Sequence, residues 1–548
     1  MPDPRPLTCG PLTVALRDGG LGAITCQGVE VLRALTYPVR NRDWGTFLTR
    51  TETEETTETT YTRQFSDPGG TFHGTFHVRL STPATLEAEV TFTFRRAAQV
   101  NRAGFTLLHP IRGVAGQPVT LLHPDGSTTV TAFPALISPA QPARNLAGLE
   151  HSVHGIALRI TLSGEVFEME DQRNWSDASF KTYCRPLALP FPFAVAEGEV
   201  IHQRVTLALT PGAGIPTAPT AHTNIRARLP QVLLAHEQGQ DHGPCSPAGL
   251  AATPALPLLL RVSRETPDAT LAAVAHHPGP ALEIVCDDRQ DLDHQISRIH
   301  RASIAPARVT ALPRPFLKSH QPDGAWPTGL QPADIPALLR AAFPAALIGG
   351  GSLTNFTELN RHRPDPAQVD FLTFGNTAIV HAADDLSVRQ TIEALPDIFA
   401  TAQSMAGGKP LHLGLFSIGM RSNPYGDATA SNPENLRLPM AMADPRQPTP
   451  FAAAYAVAVL AQAARAGVAS LALAMTDGPL GPSGPLADVL RVAHALAGAE
   501  VTVTDEAGQF SLISERGGLI ANCTPDPAPL PKRGLPVPSP DSAVVWLR

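Results

Sequence analysis

The chain predicts a multidomain α/β-plus-β protein: an N-terminal antiparallel β-sandwich, a central (β/α)₈ TIM barrel and a small C-terminal β domain. Three observations lead there. Its 548 residues are too many for a single hydrophobic core. The first two fifths carry short runs rich in Thr, Val and Phe with almost no helical period. After a Pro/Gly/Thr stretch, TPGAGIPTAPTAHTN at 210–224, apolar runs begin to alternate with Ala/Leu-rich helical segments.

In the first region the strand-like runs are 12–16, 71–80, 85–94, 104–108, 155–162 and 200–209, separated by turn sequences such as DGG, DPGG and HPDG. The Thr/Glu run TRTETEETTETTYTR at 49–63 has a period of two and β-branched content, so it reads as one exposed strand and not as disorder. In the second region strands are expected at 256–262, 282–286, 308–312, 345–349, 369–374, 411–416 and 470–475, with another near 225–234. The helix 451–466 stops at Gly467, and 486–497 lies between Pro485 and Gly498. Eight β/α units in this space match the size of a barrel. No Gly-rich nucleotide fingerprint follows any strand, which disfavours a doubly wound sheet. The tail carries strand-like 501–504, 510–514 and 544–547. The expected domains are therefore 1–222, 223–498 and 499–548, with proteolysis first at the 210–224 linker.

Composition excludes several functions. A formal net charge of −7 without a basic stripe argues against nucleic acid. No apolar run approaches the roughly 18 residues of a membrane span. The start, MPDPRPLTCG, lacks the basic-then-apolar pattern of a secretory signal. Six scattered cysteines without a C-x-x-C pair disfavour structural zinc and a disulfide framework, so a reducing cytoplasm is expected. Lys occurs only at 181, 318, 409 and 532. In so Arg-biased a chain, a retained Lys points weakly to a role that needs a compact ammonium.

In a barrel, function lies just past the C-terminal ends of the strands. The strand ending near Gly349 runs into GGGSLTNFTELNRHRP, read as a glycine turn that presents Asn355, Glu358, Asn360 and Arg361. An Asn shortly before a Glu here is similar to the arrangement in sugar-hydrolysing barrels; a solvated loop acid is the plainer alternative. The next strand leads to Asn376, His381, Asp384 and Asp385. His381 with a carboxylate three residues away suits a base with its orienting partner or half of a metal site, whereas Asp384 or Asp385 also suits a helix cap. The strand 411–416 leads to Ser417, Arg421, Asn423 and Tyr425, where Arg421 suits a carboxylate or an oxyanion. Ser417 is not in a G-x-S-x-G elbow, so it is no serine nucleophile. Lys318, between prolines after the fourth strand, is placed to reach the same mouth. No ligand spacing marks a metal, so neither metal nor cofactor is expected, and turnover is expected to survive chelation.

One further stretch is unusual: FEMEDQRNWSDASFKTY at 167–183 packs acids, bases and amides together. Phe167 and Met169 against Glu168 and Glu170 read as a strand that runs out into a polar loop. Glu170, Asp171, Arg173, Asn174, Trp175, Asp177 and Lys181 then either bind a polyol over the barrel mouth or form a purely structural salt-bridge network.

The longer stretch 167–192, FEMEDQRNWSDASFKTYCRPLALPFP, resembles the signature of the D-apionate lactonases. So do VRNRDWGTF (39–47), NRAGFTLLHPI (101–111), FPALISPAQPA (133–143), NFTELNRHRP (355–364), IVHAADD (379–385) and IGMRSNPYG (418–426). The resemblance spans nearly the whole chain and is weakest over 225–262. It implies the same three-domain fold and hydrolysis of D-apionolactone to D-apionate in apiose catabolism. On this reading Glu358 or His381 is the base, Arg421 or Lys318 holds the oxyanion, and the partner is a small sugar lactone; a homo-oligomer is left open. Two rivals remain at this point. A glycoside hydrolase needs two carboxyls about 5–9.5 Å apart, and only Glu358 is a good candidate. A non-catalytic carbohydrate-binding protein would be richer in aromatic platforms than the 5% aromatic content provides.

Overall fold

The computed structural model describes residues 6–42, 44–212, 224–239, 245–252, 256–506, 508–526 and 538–547. Most of the 210–224 linker therefore lies outside the described residues. The chain divides into two compact units, Met1–Gln172 with Ala178–Pro219, and Arg173–Asp177 with Thr220–Arg548.

The first unit is an antiparallel β-sandwich. An eight-stranded and a nine-stranded sheet share one core in which Val14, Leu35 and Leu107 of one sheet meet Phe92, Ile160 and Leu207 of the other. Ile156–Ser163 alternates strictly between buried and exposed positions, as a strand with one core face must. The Thr/Glu run is a hairpin and not one strand: Arg50–Thr56 pairs with Thr60–Ser66. Thr57 Oγ1 accepts from the Thr60 amide at 3.0 Å and closes the turn. The outer strand is exposed at every position, and its charges protect a sheet edge from further pairing.

The polar stretch forms strand Phe167–Asp171, a 3₁₀ turn Gln172–Trp175 and strand Ser179–Tyr183. Glu168, expected on the outer face, is buried because it accepts from Tyr183 Oη at 2.5 Å and from the Leu187 amide at 2.7 Å.

In the second unit eight parallel strands close into a barrel: β1 Gln231–Glu237, β2 Leu258–Val262, β3 Ala281–Cys286, β4 Arg308–Pro313, β5 Leu347–Asn355, β6 Phe371–Thr377, β7 His412–Ser417 and β8 Ser470–Met475. The expected strand near 225–234 splits in two. Ile225–Arg228 joins a five-stranded sheet with Glu500–Glu506, Gln509–Ser514, Gly517–Asn522 and Ser542–Leu547, and only Gln231–Glu237 enters the barrel. The continuous apolar run VLLA suits a strand covered on both faces; the alternating IRAR does not. The helix Pro450–Arg465 is buried over almost its whole length because it packs against both the flanking helices and this five-stranded sheet. It ends at Gly467 with φ +67°, as the sequence indicates. No helix among the described residues is long and apolar enough to cross a membrane.

β5 is longer than expected. Gly349–Gly351 lie inside it and not in a turn beyond it. A Cβ on Gly351 would sit 2.2 Å from Thr373 O, and φ there is +130°, so glycine is required by close approach of the neighbouring strand. The ladder to β6 shifts register between Gly351 and Asn355, which re-aims the end of the strand.

Candidate active site

The extension of β5 changes the setting of Glu358. It is not a solvated loop acid but the third residue of the short helix Phe356–Arg361, and it is only 6% exposed. Asn355 is the N-cap, and its amide donates to Glu358 Oε2 at 3.0 Å. Thr354 Oγ1 donates to the same oxygen at 3.2 Å. Oε1 is buried without a hydrogen-bond partner, although Ser319 is near enough to favour the charged form. Burial outweighs these neighbours and raises the Glu358 carboxyl above its ordinary range.

Glu358 lines a small cleft together with Lys318, Trp326, Ser352, Arg361 and His362. Arg361 Nη1 donates to Ser319 Oγ at 3.0 Å and its guanidinium stacks over Trp175 at 5.2 Å. The Tyr425 hydroxyl lies 3.3 Å from Thr357 Oγ1; burial first and Glu358 second hold its phenol well above the usual value.

Several predicted residues also make structural contacts. Lys318 Nζ donates to the Gly426 and Asn423 carbonyls and so pins the loop after β7 to its own loop. Asn423 organises that loop, accepting from the Tyr425 amide at 2.9 Å and donating to Ala428 O at 2.8 Å. Asp384 is the N-cap of Asp385–Ala406, accepting from Ser387 N at 2.9 Å, which is the capping alternative and not the partner of His381. The carboxylate on His381 is Asp177, at 2.6 Å from Nδ1. Trp175 meets the same imidazole edge-on at 5.6 Å.

The turn 173–177 groups with the barrel. Asn174 accepts from Thr357 Oγ1 at 2.6 Å through its carbonyl, and from Asn360 Nδ2 at 2.8 Å through its side chain. Ser176 Oγ donates to Asn376 Oδ1. Arg173 is fully buried and pairs with Asp397 at 2.8 Å. The flanking residues do otherwise. Glu170 and Lys181 pair with each other across their two strands, and Asp171 accepts from the Ser138 amide at 3.0 Å. The polar stretch is thus a structural network at its strands, and a turn built against Glu358's helix at its centre.

Sequence reasoning missed a second cluster. Arg421 donates through Nε to Glu237 at 2.8 Å and through Nη1 to Glu283 at 2.9 Å; Arg261 reaches Glu283 at 2.9 Å and Glu237 at 3.4 Å. Arg421 is thereby committed to two carboxylates, and its Nη2 stays buried without a partner. These residues had a signal: Arg261 in LLLRV and Glu283 in ALEIVC are charges inside strands that are otherwise apolar.

The comparisons agree with this architecture. Residues 1–212 match the model for the D-apionate lactonase N-terminal domain, and residues 258–502 match that for the D-apionate lactonase TIM barrel domain. A D-apionate lactonase of Brucella anthropi is 37% identical over 520 residues, covering 87% of this chain and 83% of its own length. The chain belongs to the D-apionate lactonase family. Among solved structures, a GH36 α-galactosidase of Geobacillus stearothermophilus is 8% identical with a TM-score of 0.27, covering 94% of this chain and 91% of its own. A glycoside hydrolase family 5 enzyme of Prevotella bryantii is 9% identical with a TM-score of 0.31, over 50% and 100%. At such scores neither bears on the chemistry of this lactonase-family chain. The match of the barrel model begins only at residue 258, so β1 lies outside it.

Proposed function

We propose that this protein hydrolyses D-apionolactone to D-apionate in apiose catabolism, with Glu358 as the group that moves the proton. Family membership supports the reaction. The observation that supports the residue is a buried carboxyl, raised by burial, on the wall of a small cleft that Lys318 and Arg361 also line.

Glu358 takes a proton from water as the water oxygen bonds to the lactone carbonyl carbon. The carbonyl electrons move to oxygen, and the cationic groups of the same cleft, Lys318 and Arg361, stabilise that oxyanion. The intermediate collapses, the ring C–O bond breaks, and Glu358 returns the proton to the departing ring oxygen. A carboxyl raised towards neutrality suits both halves of this exchange. Trp326 offers the sugar an apolar face. His381 with Asp177 is the alternative base. The six cysteines are all unpaired, which favours a reducing cytoplasm.

The test is Glu358→Gln, assayed by acid release from D-apionolactone. Turnover is expected to fall by roughly 10²–10⁴ and the pH–rate profile to lose one limb. A folded variant that keeps more than about a third of wild-type turnover removes Glu358 from the chemistry. The same assay on His381→Gln then decides the alternative.

A further inference from the structure

Beside the paired carboxylates, a different trio of side chains meets at the ends of two adjacent barrel strands. His236 is the penultimate residue of β1, and Asp477 follows β8 by two positions. The strands pair in parallel, with Ala235 opposite Met475. Cys245 is brought in by its own backbone, whose amide donates to Glu237 O at 3.1 Å. One ligand atom from each of His236, Cys245 and Asp477 lies within 4.8 Å of the others.

The hydrogen bonds fix which imidazole nitrogen is available. Thr476 Oγ1 donates its single proton to Asp477 Oδ1 at 3.3 Å. Its oxygen therefore accepts from His236 Nδ1, 2.7 Å away. In that tautomer Nε2 is the nitrogen with the lone pair. His236 is fully buried, and Nε2 makes no hydrogen bond of good geometry, with the Gln238 side chain beside it. The carboxylate is held in place as well: Ser246 donates its amide to both Asp477 oxygens, at 3.1 and 3.2 Å, and its hydroxyl to Oδ2. Support of this kind, with the second imidazole nitrogen bonded and the carboxylate anchored, is the usual outer layer of a metal site.

We propose that His236, Cys245 and Asp477 bind a zinc-class divalent ion, with a fourth position open to water. Nitrogen, sulfur and oxygen together suit Zn²⁺ and its borderline-soft neighbours and disfavour Mg²⁺ and Ca²⁺, which take oxygen. Bonds of roughly 2.0–2.3 Å require the ligand atoms to close by on the order of 1 Å from their present spacing. Cys245 binds as thiolate, so one thiol proton leaves as the metal–sulfur bond forms, and affinity falls as pH falls. Three protein ligands with one open position is the pattern of a catalytic ion and not of a closed structural one. The site goes beyond the Glu358 reading and does not depend on it.

The test uses the full-length chain, stripped with chelator, dialysed and titrated with Co²⁺. We expect one ion per chain with a thiolate-to-cobalt charge-transfer band that Zn²⁺ abolishes by displacement. Cys245→Ser should lose the band, and Asp477→Asn should bind at least about tenfold more weakly. Absence of the band in the wild type, or its persistence in a folded Cys245→Ser protein, overturns the site. If Cys245→Ser does not fold, X-ray absorption on the zinc-loaded wild type decides. One sulfur at about 2.3 Å with nitrogen and oxygen at about 2.0–2.1 Å supports the site, and a shell without sulfur overturns it. These readouts do not use turnover, so failure here leaves the Glu358 reading standing, and the loss of Glu358 from the chemistry leaves the ion.

Discussion

Glu283 and Glu358 are buried to similar degrees in the same barrel, at 3% and 6% exposure, yet their surroundings differ in kind. Glu283 and its neighbour Glu237 face two guanidinium groups. For Glu237 the desolvation is outweighed by Arg261 and Arg421, which hold it below the ordinary carboxylate range. Glu358 has only neutral donors in direct contact, and burial wins. Burial alone therefore does not mark a proton-transfer residue. A buried carboxyl whose desolvation is not outweighed by its neighbours does so better, because its proton is then held to higher pH.

The largest expected effect lies on the paired side. Glu283→Gln leaves Arg261 and Arg421 short of a buried counter-charge and should cost about 3–5 kcal/mol in denaturant unfolding. A loss under about 1 kcal/mol would mean that the cluster is solvated and that the contrast fails.

Asp384→Ala tests a residue that the sequence offered for substrate and the structure makes a cap. It should destabilise by about 1 kcal/mol through the helix Asp385–Ala406 while leaving turnover near wild type. A large fall in turnover without loss of stability would return Asp384 to the site.

The smallest effect separates the two carboxyl types by pH. Glu358 has a folded value above 4.5, so the folded state binds the extra proton. Its burial is tolerated at low pH and becomes costly as pH rises through the folded value. Relative to wild type, Glu358→Gln should gain stability as pH rises above 4.5, while Gln still accepts from the Asn355 amide. Glu237 behaves in the opposite sense: its folded value lies below 4.5, so its stabilisation is present above 4.5 and lost as pH falls through the folded value. Comparing urea unfolding of Glu237→Gln with wild type from pH 6 downward should show the difference closing under acid. If both variants follow wild type in parallel, the two settings are alike.

Much of the architecture was legible because periodicity is local. Strict alternation marks Thr85–Phe94, a continuous apolar run marks β8, and Gly467 marks a helix end, each readable within about ten residues. The hairpin within 50–66 and the split between 225–228 and 231–237 were not, because turn and sheet membership depend on partners elsewhere in the chain. Of the candidate site, the sequence pointed to Glu358, Lys318 and Arg361, which line one cleft, because all follow strand ends or lie beside them.

What the chain by itself determined is therefore the succession of sandwich, barrel and terminal sheet. Only the tertiary structure decided the partners: Asp177 and not Asp384 for His381, Glu237 and Glu283 for Arg421, Asn174 for Asn360 and Thr357. The reason is physical. Secondary structure follows from side chains within a few positions of one another, whereas ion pairs and hydrogen bonds are set by distances of about 3 Å between atoms that, here, stand up to some two hundred residues apart.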